Sequence, residues 1–244
     1  MKTTVQKIIF PGNGLGYFNG KVVILPWTLP GEEIEFTVFK EYKDYMLGRI
    51  QSIIKPSGLR KDADCKYYSV CGGCSLMHTH YMNQIEIKKE LFSEQFKRQG
   101  LNININPIFI KSDPDFYYRN KIKLHYDKNN LCHYYSLSTN KPVRIKECII
   151  AGKNINFAIQ NLNNITDISY DIVVIREDIN KNIFLSFFSE NKNQGKGLSL
   201  FVSMRGLQPL GSDPDLLAHS AALRGPSPKD LGLSRIPAIH KHLF

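Results

Sequence analysis

Three cysteines within ten residues, Cys65-x5-Cys71-x2-Cys74, and a fourth far downstream at Cys148 constrain this chain more than any other feature. The last pair brackets Gly72 and Gly73, which let the backbone turn tightly and bring its N–H groups toward sulfur. Such a loop can close around a soft metal centre, and a remote fourth ligand would staple a distant segment onto it. The spacing leaves iron–sulfur and structural zinc both open, since Cys-x2-Cys pairs also build zinc knuckles. Iron–sulfur is preferred, and disulfides come third. The fifth cysteine, Cys132, reads as a small apolar residue in a strand rather than as a nucleophile.

Compartment bears on that choice. The first residues, Met1 to Lys7, contain no signal-peptide apolar stretch, and no apolar run approaches the roughly 20 residues that span a bilayer. The expectation is a cytoplasmic protein without a membrane partner, whose thiols stay reduced and so favour metal ligation. At 244 residues the chain can hold one large domain or two small ones. Its net charge of +10 is uneven: about seven of the excess positive charges fall between Lys55 and Ile150, the stretch that holds all four candidate ligands. A polyanion is the natural partner, because phosphate neutralisation with counterion release gives affinity without special geometry. Tyr and Phe residues in the same stretch favour nucleic acid over a merely solvated basic face.

The pattern predicts an α+β chain. Short strand-like runs at Thr4–Phe10, Lys21–Leu25, Ile34–Phe39 and Met46–Ile54, with Asn19-Gly20 as a hairpin turn and Pro30-Gly31 as a second turn, predict a small OB-like β-barrel over 1–55. Gly12, Gly14 and Gly16 read as turn glycines rather than a phosphate cradle, since no helix pattern follows them. Residues 56–197 form a second domain. In it a basic amphipathic helix runs from Tyr81 to Gln99, with Met82, Ile85, Phe92 and Phe96 as its apolar stripe and Gly100 as its stop. Strands are expected at Pro107–Lys111, Arg119–Tyr126 and Leu131–Leu137, the last two joined by a turn at Asp127–Asn130, with Lys141–Ile145 leading to Cys148. A helix over Ala151–Leu162 and a hairpin from Ser169–Arg176 and Asn182–Phe188 complete it.

Near Gly197 the usage changes. Asn and Tyr disappear, and Leu, Pro, Ser, Ala and Gly take over through Phe244. Residues 198–244 are therefore expected to be an anomalous, irregular tail, either disordered or translated from a shifted reading frame.

Residues 1–197 resemble the N-terminal portion of the bacterial RNA (uracil-5-)-methyltransferases that carry a TRAM domain and a [4Fe-4S] cluster. The matching pieces are Gly12 to Gly20 and Leu29 to Glu32 in the barrel, Cys65 with Cys71-Gly72-Gly73-Cys74 through His78, and Tyr81, Gln84 and Lys88 on the helix. Tyr118 to Lys121 and Glu147-Cys148 complete the set. Met77 departs from the family's usual Gln, and Cys132-His133 from a common Gly-Phe; neither change touches a ligand.

The resemblance implies a [4Fe-4S] cluster at Cys65, Cys71, Cys74 and Cys148, structural rather than catalytic because four cysteines saturate the cubane. It implies RNA contacts at Lys88, Arg119, Asn120, Lys121 and Lys123, with 23S ribosomal RNA the first expectation, transfer RNA the second, and a monomeric state. In this family a cysteine thiolate adds to uracil C6, the enolate takes the methyl of S-adenosylmethionine, and a base removes the C5 proton. The marks of that machinery, a Gly-rich turn after an Asp-rich strand, Asp-Pro-Pro-Arg and a Ser-Cys nucleophile, are not found in residues 151–244. The expectation is thus the RNA-binding and cluster-binding part of a methyltransferase without its S-adenosylmethionine site or catalytic residues. The alternative is a stand-alone, non-catalytic RNA-binding module with a [4Fe-4S] or zinc site.

Overall fold

Short β-branched runs broken by Gly and Asn turns generate the first sheet. The computed structural model describes residues 1–101, 108–126, 131–137, 139, 141–163 and 170–188, with the backbone of 198–202. The strands are β1 (Lys2–Thr4), β2 (Lys7–Ile9), β3 (Asn13–Phe18), β4 (Lys21–Leu25), β5 (Glu33–Glu41) and β6 (Tyr45–Lys55), in the order β1-β5-β6-β4-β3-β2. All pairings are antiparallel except β4 with β6. Asn19 and Gly20 take φ of 49° and 78°, the pair of positive values that the predicted hairpin turn requires. Register shifts bend β5 and β6, and the sheet curls until β1 meets β3. There the Thr3 hydroxyl donates to the Tyr17 carbonyl at 2.7 Å and accepts from the Tyr17 N–H at 3.2 Å. The result is a barrel-like unit around fully buried Val23, Leu25, Ile34 and Phe36.

Two details differ from the sequence expectation. Thr4–Phe10 is not one strand: β1 pairs with β5 and β2 with β3, and the chain crosses between them at Val5 and Gln6. Of the expected turn glycines, Gly12 is one, with φ of 118°, but Gly14 and Gly16 lie inside β3. A Cβ on Gly14 would stand 2.0 Å from Thr28 Oγ1, and one on Gly16 2.7 Å from Thr3 Oγ1, so these positions admit a close crossing of chain segments.

Helix α1 (Tyr81–Arg98) ends as predicted. Gly100 has φ of 75° and donates to the Lys97 carbonyl, while the Leu101 N–H reaches the Phe96 carbonyl at 3.1 Å, completing a Schellman motif. Of the expected stripe Ile85 is buried, but Met82 is 60% exposed. Ile87 and Leu91 instead pack with Ile8, Leu29 and Leu76, docking the helix on the barrel, and Lys7 reaches Glu94 at 2.7 Å. Phe92 turns elsewhere and meets Phe96 and Phe109.

The second sheet comprises β7 (Lys121–Tyr126), β8 (Cys132–Tyr135), β9 (Pro142–Arg144), β10 (Ile172–Glu177), β11 (Ile183–Phe188) and β12 (Leu198–Val202), ordered β12-β11-β10-β7-β8-β9 and antiparallel throughout. Helix α2 (Lys153–Leu162) covers one face with Ile155, Ile159 and Leu162 over Leu124, Val173 and Ile175. Cys132 is fully buried in this core, as the sequence suggests. The strand expected at Pro107–Lys111 is not formed over Ile108–Lys111. Ile108 and Ile110 are more than 90% exposed, and among the described residues no strand pairs with them; Pro107 lies outside the described residues. The turn expected at Asp127–Asn130 also lies outside them, although its flanks pair at Tyr126 and Cys132. The sheet continues beyond Gly197: the backbone of Leu198–Val202 pairs with β11, so the change in composition falls within a strand-bearing region. Residues 203–244 lie outside the described residues.

Candidate metal centre and nucleic-acid interface

The cysteine loop joins β6 to α1, and Cys148 lies between β9 and α2, so the site forms where the barrel, α1 and the second sheet meet. A compact turn runs from Cys65 to Cys71, with the Tyr68 N–H bonded to the Cys65 carbonyl and the Cys71 N–H to the Tyr67 carbonyl at 2.8 Å. The Gly73 N–H then points at Cys71 Sγ, at 3.4 Å. Gly72 seats the loop on the end of β8: its N–H donates to the Tyr135 carbonyl at 3.0 Å, and a Cβ there would stand 3.0 Å from that same oxygen. On the barrel side the Trp27 indole donates to the Cys74 carbonyl at 3.1 Å.

Cys148 is brought to the loop by contacts that need no metal. Lys66 pairs with Glu147 at 2.9 Å, and the Tyr67 hydroxyl accepts from the Lys146 N–H at 3.0 Å. Asn156 of α2 accepts from the Cys148 N–H at 2.7 Å and donates to the Cys148 and Ala151 carbonyls at 3.0 Å each. Sequence reasoning missed Asn156; the signal was an amide on the apolar face of a short helix, where a polar group requires buried partners.

None of the five cysteines forms a disulfide. Burial pushes the thiols of Cys71, Cys74 and Cys148 up, Cys74 to about 11, and charge on neighbouring cysteines pushes in the same direction. The charge of Arg119 opposes this at Cys74 and Cys148. The four thiols are thus within electrostatic reach of one another, in a setting that a bound metal cation would deprotonate. Among the described residues, no three His, Cys, Asp or Glu side chains stand as a group that could hold a metal ion.

Beneath the loop is a second polar network. Glu32 is fully buried and accepts from the N–H groups of Leu29 (2.9 Å) and Ser57 (3.2 Å) and from the guanidinium of Arg60. Burial pushes its carboxyl up; the Arg60 hydrogen bond and those backbone donors outweigh it and hold it below the usual range. His78 is buried against Tyr68, and burial, then the charge of Arg60, push its imidazole down to about 4.

The residues expected to contact RNA fall on two surfaces. Lys88 and Arg119 line one cavity of about 710 Å³, walled by Phe10 and Pro11 of the barrel, by Cys74 and by Tyr118. The backbone of Arg119 is fixed beside the Cys148 segment by bonds to Ile150 and Gly152. Asn120 shares a smaller depression with Arg119 and Lys181. Lys121 and Lys123 project from β7 on the sheet face opposite α2.

A barrel-like β unit followed by an antiparallel sheet with a helix on one face is the fold class that these elements define. A tRNA (uracil-54, C5)-methyltransferase of Pyrococcus abyssi, solved with S-adenosyl-L-homocysteine, has a similar fold: TM-score 0.51 and 22% identity, covering 88% of this chain and 48% of that one. An RNA methyltransferase of Aquifex aeolicus is 31% identical over 174 residues, 70% of this chain and 40% of the relative. One of Thermotoga maritima is 32% identical over 148 residues, 60% of this chain and 33% of the relative. No protein-family profile matches. The chain belongs to this RNA methyltransferase family and corresponds to its N-terminal portion, spanning 40% and 33% of the length of these two curated relatives.

Proposed function

We propose that this chain is the RNA-binding and [4Fe-4S]-holding N-terminal portion of an S-adenosylmethionine-dependent RNA uracil-C5 methyltransferase. The observation that carries the reading is the docking of the Cys148 segment on the Cys65–Cys74 loop, through Lys66 with Glu147 and Tyr67 with Lys146, beside a cavity that Lys88 and Arg119 line. The donor set suits the cluster: soft reduced thiols, partly buried, with the Gly73 N–H directed at sulfur. Bound there, a [4Fe-4S] cluster supplies no methyl-transfer chemistry, since four cysteines saturate its irons. These residues hold the loop, α1 and the Cys148 segment in register beside a basic cleft.

Lys88, Arg119, Asn120, Lys121 and Lys123 are the RNA contacts in this reading, with 23S ribosomal RNA the first partner and transfer RNA the second, selected by surface shape. The protein acts in the cytoplasm as a monomer. No residue of this chain is assigned to methyl transfer; Cys132, the spare thiol, is fully buried on the core face of β8 and out of reach of a substrate base. The test is binding of labelled 23S ribosomal RNA hairpins and of transfer RNA across a salt series. Affinity falling with salt by about 0.7 to 0.9 logarithmic units per phosphate contact, with a preference for one folded RNA, supports the reading. Equal affinity for heparin and for every RNA would count against it.

A further inference from the structure

The second sheet turns one face to α2, and no described element lies across the other, on which only His133 is buried. Register places the open-face side chains in rows across the strands. Phe184, Arg176 and Lys121 form one row, and Ser186, Val174 and Lys123 the next. Phe188, Ile172, His125, His133 and Arg144 form the third. Tyr135, two residues along β8 from His133 and opposite Pro142, falls beside the second row, its ring 4.7 Å from that of His125 and 5.2 Å from that of His133. Four strands, β11, β10, β7 and β8, make a platform roughly 14 Å wide.

Its composition selects a partner. Cations occupy Lys121, Lys123, Arg144 and Arg176, and among the described residues of these rows there is no carboxylate. Glu177 lies on the opposite face, buried against Ile183. Phe184, Phe188 and Tyr135 are each 37 to 43% exposed, a wasteful exposure for aromatic rings on a face meant only for water. A π-face stacks on any unpaired base, and the adjoining cations meet the phosphates; a duplex keeps its bases stacked inside and offers the rings nothing. The platform also adjoins the cysteine loop, since the Tyr135 carbonyl accepts from Gly72.

We propose that this open face binds single-stranded RNA, with bases stacked on Tyr135 and Phe188 and phosphates on Lys121 and Lys123. The proposal rests on the RNA-binding reading above. Fluorescence anisotropy of the full chain with a labelled single-stranded RNA dodecamer, and with the duplex of the same sequence, tests it. The single strand should bind more tightly. Tyr135→Ala and Phe188→Ala should each weaken it about tenfold and leave the duplex unchanged. Tyr135→Phe keeps the ring and should retain affinity, which separates stacking from a folding defect. Lys121→Ala with Lys123→Ala should lower the salt slope by about 1.4. If these variants bind as the parent does while Lys88→Ala with Arg119→Ala loses affinity, the open face is overturned and the RNA reading stands. If the parent binds no RNA, both fall.

Discussion

Asn156 grips the backbone of Cys148 from both sides, accepting its N–H at 2.7 Å and donating to its carbonyl at 3.0 Å. The remote thiol is therefore positioned by α2 before any metal arrives. Asn156→Ala should leave the Cys148 N–H and the Ala151 carbonyl unpaired, while the Cys148 carbonyl keeps the Ala151 N–H at 2.9 Å, and cost about 2–3 kcal/mol. Urea unfolding checks this. The same variant should retain less iron than the parent, because the Cys148 segment is then held only by its neighbours' contacts, Lys66 with Glu147 and Tyr67 with Lys146.

Gly72 makes a sharper prediction about the loop. A methyl group there would press on the Tyr135 carbonyl at 3.0 Å and the Leu137 nitrogen at 3.2 Å, backbone atoms at the end of β8 and just beyond it. Gly72→Ala should lift the loop off β8 and weaken metal retention, while Gly20→Ala, whose Cβ would meet nothing within 4 Å, should leave the metal in place. Metal content after gel filtration compares the two.

Acid should destabilise the barrel in two stages. The His78 imidazole is held down to about 4 against an ordinary 6.5, so the unfolded chain takes up its proton first. Stability from this group is complete above pH 6.5 and is lost as pH falls toward 4. Glu32, whose carboxyl is also held low, adds its loss below its ordinary 4.5. His78→Gln should flatten the stability curve between 6.5 and 4 by up to about 1.4 kcal/mol per pH unit.

Removing the Glu32 charge alone should be costly at neutral pH. Glu32→Gln leaves Arg60 without its carboxylate in a buried setting and should destabilise the barrel by about 3 kcal/mol. Replacing Glu32 and Arg60 together should cost less than the sum of the single changes, and a double-mutant cycle measures the difference.

Much of this was legible locally. The Asn19-Gly20 turn, the Gly100 stop and the alternation of β7 and β10 are short-range signals, and the structure follows them. What stayed hidden depends on contacts distant in sequence. Nothing near Gly14 shows that Thr28 passes above it, and nothing near Ile87 shows that the barrel will cover it rather than Met82. Ile108–Lys111 alternates like a strand but finds no partner edge among the described residues. In the site, the cysteine spacing marked out the loop and its remote partner, whereas the Asn156 clamp and the Glu32–Arg60 pair appear only once α2 and the barrel are folded. The lysines of β7, grouped with Arg119 by sequence, separate from it because strand alternation turns them to the open face.

In the proposed reading, four cysteines from two segments hold one [4Fe-4S] cluster as a staple. The most direct test is iron, acid-labile sulfide and zinc analysis of anaerobically purified protein, alongside Cys148→Ser. The account predicts about four irons and four sulfides per chain in the parent, and loss of both in the variant with unfolding of the second domain. One zinc per chain without sulfide, or a cluster that survives Cys148→Ser, would contradict it.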